Sequence, residues 1–146
     1  MATDEGVFLE WRHEYSRRIA MLEVDSASAW LYLYYPDERR PEKDVFAYSV
    51  GLLVTTERAR EVAKAGTQPP LASEYASPSA VLSDAKPEEF SLRWSTDGES
   101  VALIIEGRPL AMIVSGGKRG YSAALGKSGP FGEPWYEELY RATFAS

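Results

Sequence analysis

The chain of 146 residues contains no cysteine and a single histidine, His13. Without cysteine it has no disulfide bond, no thiolate nucleophile and no cysteine-ligated zinc. A single histidine excludes every motif that requires two imidazole groups. Much of the common catalytic and metal-binding repertoire is therefore absent before any pattern is considered.

The sequence also has no long apolar run. Its most apolar stretch, residues 101–114, is interrupted by Glu106 and Arg108, so neither half approaches the roughly 20 residues that cross a bilayer. The chain begins with acidic Asp4 and Glu5, whereas a secretory signal begins with basic and then apolar residues. We therefore expect a cytoplasmic protein without a signal peptide, a compartment with which the lack of cysteine agrees.

The chain has fewer basic than acidic residues. The chain has 22 acidic and 16 basic residues, a formal charge of −6, which repels the phosphate backbone of nucleic acids. The acidity lies in the first two thirds, where residues 1–50 alone hold 10 acidic and 6 basic side chains. We expect no nucleic-acid partner and no membrane partner.

The length and the 45% hydrophobic content fit one globular domain spanning residues 1–146. Residues 65–83 are rich in alanine, serine and proline, a composition that predicts a surface connection between two β-rich halves. Whether the two halves share one sheet or form two is left open at this point.

The first half alternates as strands do. In residues 30–35 the period of two places Trp30, Tyr32 and Tyr34 on one face and Leu31, Leu33 and Tyr35 on the other. Thr55 or Thr56 is suited to cap a short helix that ends near Ala65. Further strands are predicted by β-branched and aromatic residues at 7–11, 19–24 and 45–54.

The second half contains the clearest hairpin. Strand-like residues 90–95 lead to Asp97-Gly98, a favoured turn pair, and residues 101–105 return. Pro109 opens a further strand, and Pro134 is suited to begin a last helix. The sequence thus predicts an α+β fold: an antiparallel sheet of about six to eight strands with two short helices.

Two apparent catalytic motifs do not hold up. Ser115-Gly116-Gly117-Lys118 resembles a phosphate-binding loop, but Met112 and Arg119 stand where that motif needs glycine and a hydroxyl residue. His13 and Ser16 would point to opposite faces of a strand, and no Gly-x-Ser-x-Gly elbow occurs. A flexible loop and a surface or packing histidine are the better interpretations.

The carboxylate clusters also favour solvated charges over chemistry. Neighbours such as Glu88-Glu89 and Glu137-Glu138 do not face one site. The acidic group at residues 37–44 lacks the spacing of a calcium loop, and basic residues at 39, 40 and 43 dilute its field. We therefore expect no catalytic residue, no cofactor and no metal.

The same acidic group lies beside two tyrosines, which suggests a surface for a basic protein. Aromatic side chains supply anchoring area, and charge steers the encounter. Packing of the tyrosines in the core, with a solvated acidic turn, is the alternative. The candidate partner-binding residues are Tyr34, Tyr35, Asp37, Glu38, Glu42 and Asp44.

Residues 88–122 resemble a small uncharacterised bacterial domain family. The resemblance is carried by Trp94-Ser95-Thr96-Asp97-Gly98, by the Val-Ala-Leu strand at 101–103, by Gly107-Arg108-Pro109 and by Arg119-Gly120-Tyr121. It implies a fold and no particular chemistry. In general character the chain also resembles the immunity proteins that protect bacteria from secreted antibacterial toxins.

These observations favour a non-enzymatic, protein-binding protein, an immunity protein that neutralises a cognate toxin by occluding it. The expected partner is a toxin encoded by an adjacent gene, and a homodimer through an exposed strand edge is possible. The alternative is a small enzyme or small-molecule-binding domain with a pocket between sheet and helices, in which Arg93, Arg119 or Tyr121 supplies polar contacts.

Overall fold

The computed structural model describes residues 7–145. These residues form nine strands, two α-helices and two short 3-10 helices, the latter at Ser73–Tyr75 and Pro87–Glu89. In chain order the strands and α-helices are β1 Val7–Arg12, β2 Ile19–Val24, β3 Ser28–Tyr34, β4 Lys43–Ser49, α1 Thr56–Lys64, β5 Phe90–Trp94, β6 Val101–Ile105, β7 Arg108–Ile113, β8 Tyr121–Ser122, β9 Glu133–Pro134 and α2 Glu137–Thr143.

The strands lie in two sheets, one from each half of the chain. The first sheet is antiparallel with the order β1-β2-β3-β4, and the second has the order β5-β6-β7-β8-β9 with β8 and β9 parallel. The α+β class and the two short α-helices are therefore confirmed. The described residues form nine strands in place of six to eight, because β8 and β9 are only two residues long.

The two sheets pack face to face around the main core. Leu31 and Val45 of the first sheet meet Leu103 and Ile113 of the second, all of them fully buried. The outer side of the first sheet is partly covered by α1 and residues 69–80, which pack on Trp30. Helix α2 covers the outer side of the second sheet. The sheets are thus inner layers, and each helix shields one outer side.

Residues 65–83 connect the sheets and also close one edge. Leu71, Ala72 and Ala80 in this connection are buried against the first sheet. The Ser49 amide donates to the Ala80 carbonyl at 2.8 Å, and the Leu82 amide donates to the Ser49 carbonyl at 2.8 Å. The free side of β4 is therefore occupied, whereas no backbone group among residues 7–145 pairs with the free side of β1.

Two boundaries differ from the sequence prediction. Pro134 was expected to begin the last helix, but it lies in β9 and α2 begins at Glu137. The reason is a long-range bond, since the Glu133 amide donates to the Gly120 carbonyl at 2.8 Å and holds this segment beside β8. The predicted strand at 45–54 is found at Lys43–Ser49.

Within residues 7–145 no helix has both the length and the apolar character needed to cross a membrane.

Helix α1 provides a direct test of local stability. The Thr55 side-chain oxygen accepts a hydrogen bond from the Arg58 amide at 3.1 Å, which satisfies a free donor of the first turn. Replacing Thr55 with alanine is expected to lower the free energy of unfolding by about 1 kcal/mol. Urea denaturation followed by tryptophan fluorescence measures this difference.

Thr67→Ala is the matched control, because Thr67 is exposed and its hydroxyl makes no hydrogen bond with the described residues. Its effect is expected to stay within about 0.5 kcal/mol. Equal losses for the two variants would show that the Thr55 cap contributes nothing.

Candidate protein-binding surface

The outer side of the first sheet is only half covered. The strand register places Glu10, Met21, Tyr32 and Asp44 in one row across all four strands. A neighbouring row brings Ile19 beside Tyr34, and the other neighbouring row brings Phe8 beside Glu23. We call the uncovered part the acidic face; it consists of Phe8, Glu10, Met21, Glu23, Tyr34 and Asp44, and exposed Arg12 lies at its border in the row of Ile19 and Tyr34.

Two of the carboxylates on the acidic face are held in place. The Tyr32 hydroxyl donates to Glu23 Oε1 at 3.0 Å. The Gln68 side-chain amide donates to Asp44 Oδ2 at 3.0 Å and to the Tyr32 hydroxyl at 3.3 Å. Because these bonds fix the side chains before any partner arrives, less conformational entropy is lost on binding.

The acidic face carries net negative charge, since Glu10, Glu23 and Asp44 outnumber Arg12 on the same side of the sheet, although Asp44 also borders a pocket lined by Lys118 and Arg119. Burial raises the pKa of Tyr34, and the charges of Glu23 and Glu10 raise it further. Although much of the Asp44 residue is exposed, burial of its carboxylate raises the pKa, and donation from Gln68 opposes that rise. Among residues 7–145, no lysine, arginine or histidine forms an ion pair with Glu10, Glu23 or Asp44.

The six residues predicted from the sequence divide into three groups. Tyr34 and Asp44 lie on the acidic face. Asp37 and Glu38 are exposed in the turn between β3 and β4, where Asp37 has a positive φ of 66°. Tyr35 and Glu42 adjoin these residues, since the Glu38 amide donates to the Tyr35 carbonyl at 3.3 Å and Glu42 lines one pocket with Asp44, but their side chains contact Arg18. The role of all six in partner binding stays a prediction.

Tyr35 and Glu42 surround Arg18, a charged side chain that is only 4% exposed. The Arg18 guanidinium forms ion pairs with Glu42 and, at 2.8 Å, with Glu99, and its carbon lies 4.1 Å from the centre of the Tyr35 ring. Burial acts to lower the pKa of Arg18, but the hydrogen bonds that it donates to Glu99 and Glu42, together with the charges of these carboxylates, outweigh burial and raise the pKa. Glu42 therefore neutralises an internal charge in this structure.

His13 and Ser16 organise the turn between β1 and β2. His13 Nδ1 accepts the amide protons of Tyr15 and Ser16, both at 3.1 Å, and its ring packs edge-on against Trp94. The Ser16 hydroxyl donates to the Gly98 carbonyl at 2.8 Å. Since this hydroxyl donates to a carbonyl and not to the imidazole, the pair is not arranged as a nucleophile with its base.

Arg93, Arg119 and Tyr121, the residues expected to line a small-molecule pocket, mainly make contacts between secondary-structure elements. Arg93 donates to the Tyr140 hydroxyl at 3.1 Å and to the Phe144 carbonyl, which anchors α2. Arg119 donates to the Gly129 carbonyl at 2.8 Å. The Tyr121 ring packs edge-on against a tyrosine just before α2, with ring centres 6.2 Å apart. These three side chains therefore have internal partners.

The glutamate pairs behave as capping and surface groups. Glu89 accepts the Lys86 amide at 2.8 Å. Glu137 accepts the Trp135 indole N–H at 2.8 Å and pairs with Arg141 at 2.9 Å, and these hydrogen bonds lower the pKa of Glu137. The described part of the chain has no group of three histidine or carboxylate side chains placed to hold a metal.

A separate apolar groove of about 340 Å³ runs between α1 and the segment around Phe131. Ala59 and Ala63 of α1 form one wall, and Pro69 and Tyr75 contribute to the rest. This groove is the feature on which a small-molecule function would depend. It carries a single charged side chain, Arg60, among its lining residues.

Sequence reasoning missed Glu10, Glu23 and Gln68. The alternation within residues 7–11 and 19–24 is a signal that places Glu10 and Glu23 opposite the core-facing side chains. It contains no information on register, so it does not show that these carboxylates adjoin Tyr34 and Asp44. Gln68 lies in an irregular segment and leaves no periodic signal.

Comparison with known protein families, with curated proteins and with solved structures gives no match to this chain.

Proposed function

We propose that this chain is a non-enzymatic binding protein, a cytoplasmic immunity protein that neutralises a cognate antibacterial toxin by occluding it. The observation that carries the proposal is the acidic face. There Glu10, Glu23 and Asp44, which form no ion pair among residues 7–145, lie around Tyr32 and the half-buried Tyr34. Phe8 beside them is 59% exposed.

The chemistry of the acidic face fits a basic protein surface. Exposed Phe8 and half-buried Met21 offer apolar contact area, and the carboxylates of Glu10, Glu23 and Asp44 attract a positively charged partner. The net charge of −6 acts in the same direction over longer distances. A sheet face is rigid, so its groups are already placed for binding.

An occluding role is also supported by the internal use of the residues that catalysis would need. His13 and Ser16 are engaged in a turn, and Arg93 is engaged with α2. Toxin inhibition by occlusion requires only tight binding across the active surface of the toxin. The acidic face supplies binding chemistry of that kind without a reaction centre.

The proposal is tested by co-expressing the chain with the product of the adjacent gene. We expect the neighbour alone to arrest growth, and we expect co-expression to restore growth and to yield a complex that co-elutes in size-exclusion chromatography. A harmless neighbour, or a toxic one that forms no complex, would overturn the immunity proposal. A ligand for the groove beside α1 would then be the next subject of search.

The acidic face is tested in the same system with Glu23→Gln and Asp44→Asn together. Both replacements keep the shape and an acceptor oxygen for the Tyr32 and Gln68 hydrogen bonds, while two negative charges are lost. We expect the dissociation constant to rise about tenfold or more, chiefly through slower association at low salt. Surface plasmon resonance at two salt concentrations measures both effects.

The matched control is Glu88→Gln with Glu138→Gln, which removes the same charge from exposed sites away from the acidic face. Its dissociation constant is expected to stay within about threefold of the unmodified protein, since only the long-range field changes. Equal losses in the two double variants would place the interface elsewhere.

A further inference from the structure

One side of the molecule carries the free edges of both sheets. Strand β1 is the last strand of the first sheet, and β5 is the last strand of the second. The two lie over one another, because Leu9 and Phe90 line the same small apolar cleft and the His13 ring lies 5.3 Å from the Trp94 ring. We call this the open side.

The backbone of β1 has hydrogen-bonding groups on the open side. The His13 amide donates to the Arg18 carbonyl, so the alternation of antiparallel pairing directs the amides of Leu9 and Trp11 toward β2. The amides and carbonyls of Phe8, Glu10 and Arg12 therefore point outward. Within residues 7–145 no backbone group pairs with them.

Apolar side chains line the gap between the two sheets on the open side. They are half-buried and belong to Leu9, Trp11, Phe90, Leu92 and Trp94. The opposite edge of the first sheet, β4, is covered by residues 80–82. An uncovered six-residue edge with apolar neighbours is a template for pairing with another strand.

We propose that the open side is an interface with a second copy of this chain, in which the two β1 strands pair antiparallel about a two-fold axis through Trp11. Glu10 of each copy then lies opposite Arg12 of the other. These residues carry outward amides and carbonyls, so the backbones form four hydrogen bonds while two opposite-charge side-chain pairs form beside them.

The charges select this register over its neighbours. An axis through Glu10 would bring two carboxylates face to face, which is unfavourable. An axis through Leu9 would oppose Glu10 to Phe8 and leave Arg12 without a partner. In the proposed register the copies form one continuous eight-stranded sheet, with both acidic faces on the same side. The dimer does not require the immunity function, although it shares Glu10 with the acidic face.

The test is a charge swap followed by sedimentation equilibrium over a range of protein concentrations. As the protein concentration rises, the average mass of the unmodified chain is expected to increase from the 16.3 kDa of one copy toward twice that value. Glu10→Arg or Arg12→Glu alone places like charges together twice, and each is expected to raise the dimer dissociation constant about tenfold or more. The double variant restores both pairs and is expected to lie within about threefold of the unmodified chain.

Glu138→Arg is the control, because it makes the same charge change as Glu10→Arg on an exposed position of α2. Circular dichroism is expected to show all variants folded, since the side chains of Glu10 and Arg12 are exposed and make no hydrogen bond within residues 7–145. The proposal is overturned by an unmodified chain that stays monomeric at every concentration. It is equally overturned by dimers that the single reversals leave intact, or by a double variant that does not recover.

Discussion

Replacing Gly98 with alanine is expected to lower the free energy of unfolding by about 3 kcal/mol, through overpacking and backbone strain together. Gly98 has a φ of 71°, a conformation that alanine adopts only at a cost. An alanine Cβ there would lie 2.4 Å from His13 Nδ1 and 2.6 Å from two ring carbons. Urea denaturation of both proteins measures the difference.

The His13 ring has little room to yield to that Cβ. Its Nδ1 accepts two amide protons of the β1–β2 turn, and its ring forms a T-shaped contact with Trp94. Movement of the ring would break those contacts, and movement of the turn would strain the bond from Ser16 to the Gly98 carbonyl. The clash is therefore expected to loosen the contact between this turn and the β5–β6 hairpin.

The variant Gly107→Ala separates the cost of backbone strain from the cost of steric overlap with a neighbouring side chain. Gly107 also has a positive φ, 82°, but no atom lies within 4 Å of the added Cβ, so its loss is expected to be only about 1 kcal/mol. A second comparison introduces Gly98→Ala into the His13→Ala variant, which lacks the imidazole ring. There the further decrease in the free energy of unfolding is expected to approach the decrease caused by Gly107→Ala. If Gly98→Ala and Gly107→Ala lower the free energy of unfolding of the otherwise unmodified protein equally, contact with the His13 ring adds no destabilisation.

Local patterns predicted much of the fold because they arise from neighbouring residues. The alternation at 30–35 correctly placed Trp30 and Tyr32 on one face and Leu31 and Leu33 on the other, and in the structure these faces meet the outer cluster and the main core respectively. The two threonines predicted as alternative caps correctly marked the start of α1, and Thr55 is the one that caps it. Both features depend on spacing within one turn or one strand, which a sequence displays directly.

Long-range contacts account for what the sequence did not predict. Strand β8 exists because it pairs with β7, and β9 exists because the Glu133 amide donates to the Gly120 carbonyl; two-residue strands have no period to recognise. The candidate surface divides for the same reason. Glu42 joins Glu99, 57 positions away in the numbering, only through their shared partner Arg18. Local sequence patterns contain no information on this long-range contact of Glu42 and Glu99 with Arg18.

Replacing Arg18 with methionine is expected to lower the free energy of unfolding by about 3 kcal/mol. Methionine fills the space of the apolar stem but leaves Glu42 and Glu99 facing each other without a cation, and it removes the stacking on Tyr35. Those carboxylates are 26% and 39% exposed and gain some hydration. The expected loss therefore lies at the low end of the range for a broken buried pair.

Two further variants identify the origin of that loss. Arg18→Lys keeps the charge but lacks the planar fork that reaches two carboxylates, so an intermediate loss of about 1–2 kcal/mol is expected. Arg18→Met combined with Glu42→Gln and Glu99→Gln removes the stranded charges and should recover about half of the loss. No recovery in the triple variant would mean that packing of the Arg18 stem, and not charge, holds the β1–β2 turn against the β5–β6 hairpin. Because that contact aligns β1 over β5, chemical denaturation of these variants also measures how firmly the open side is held together.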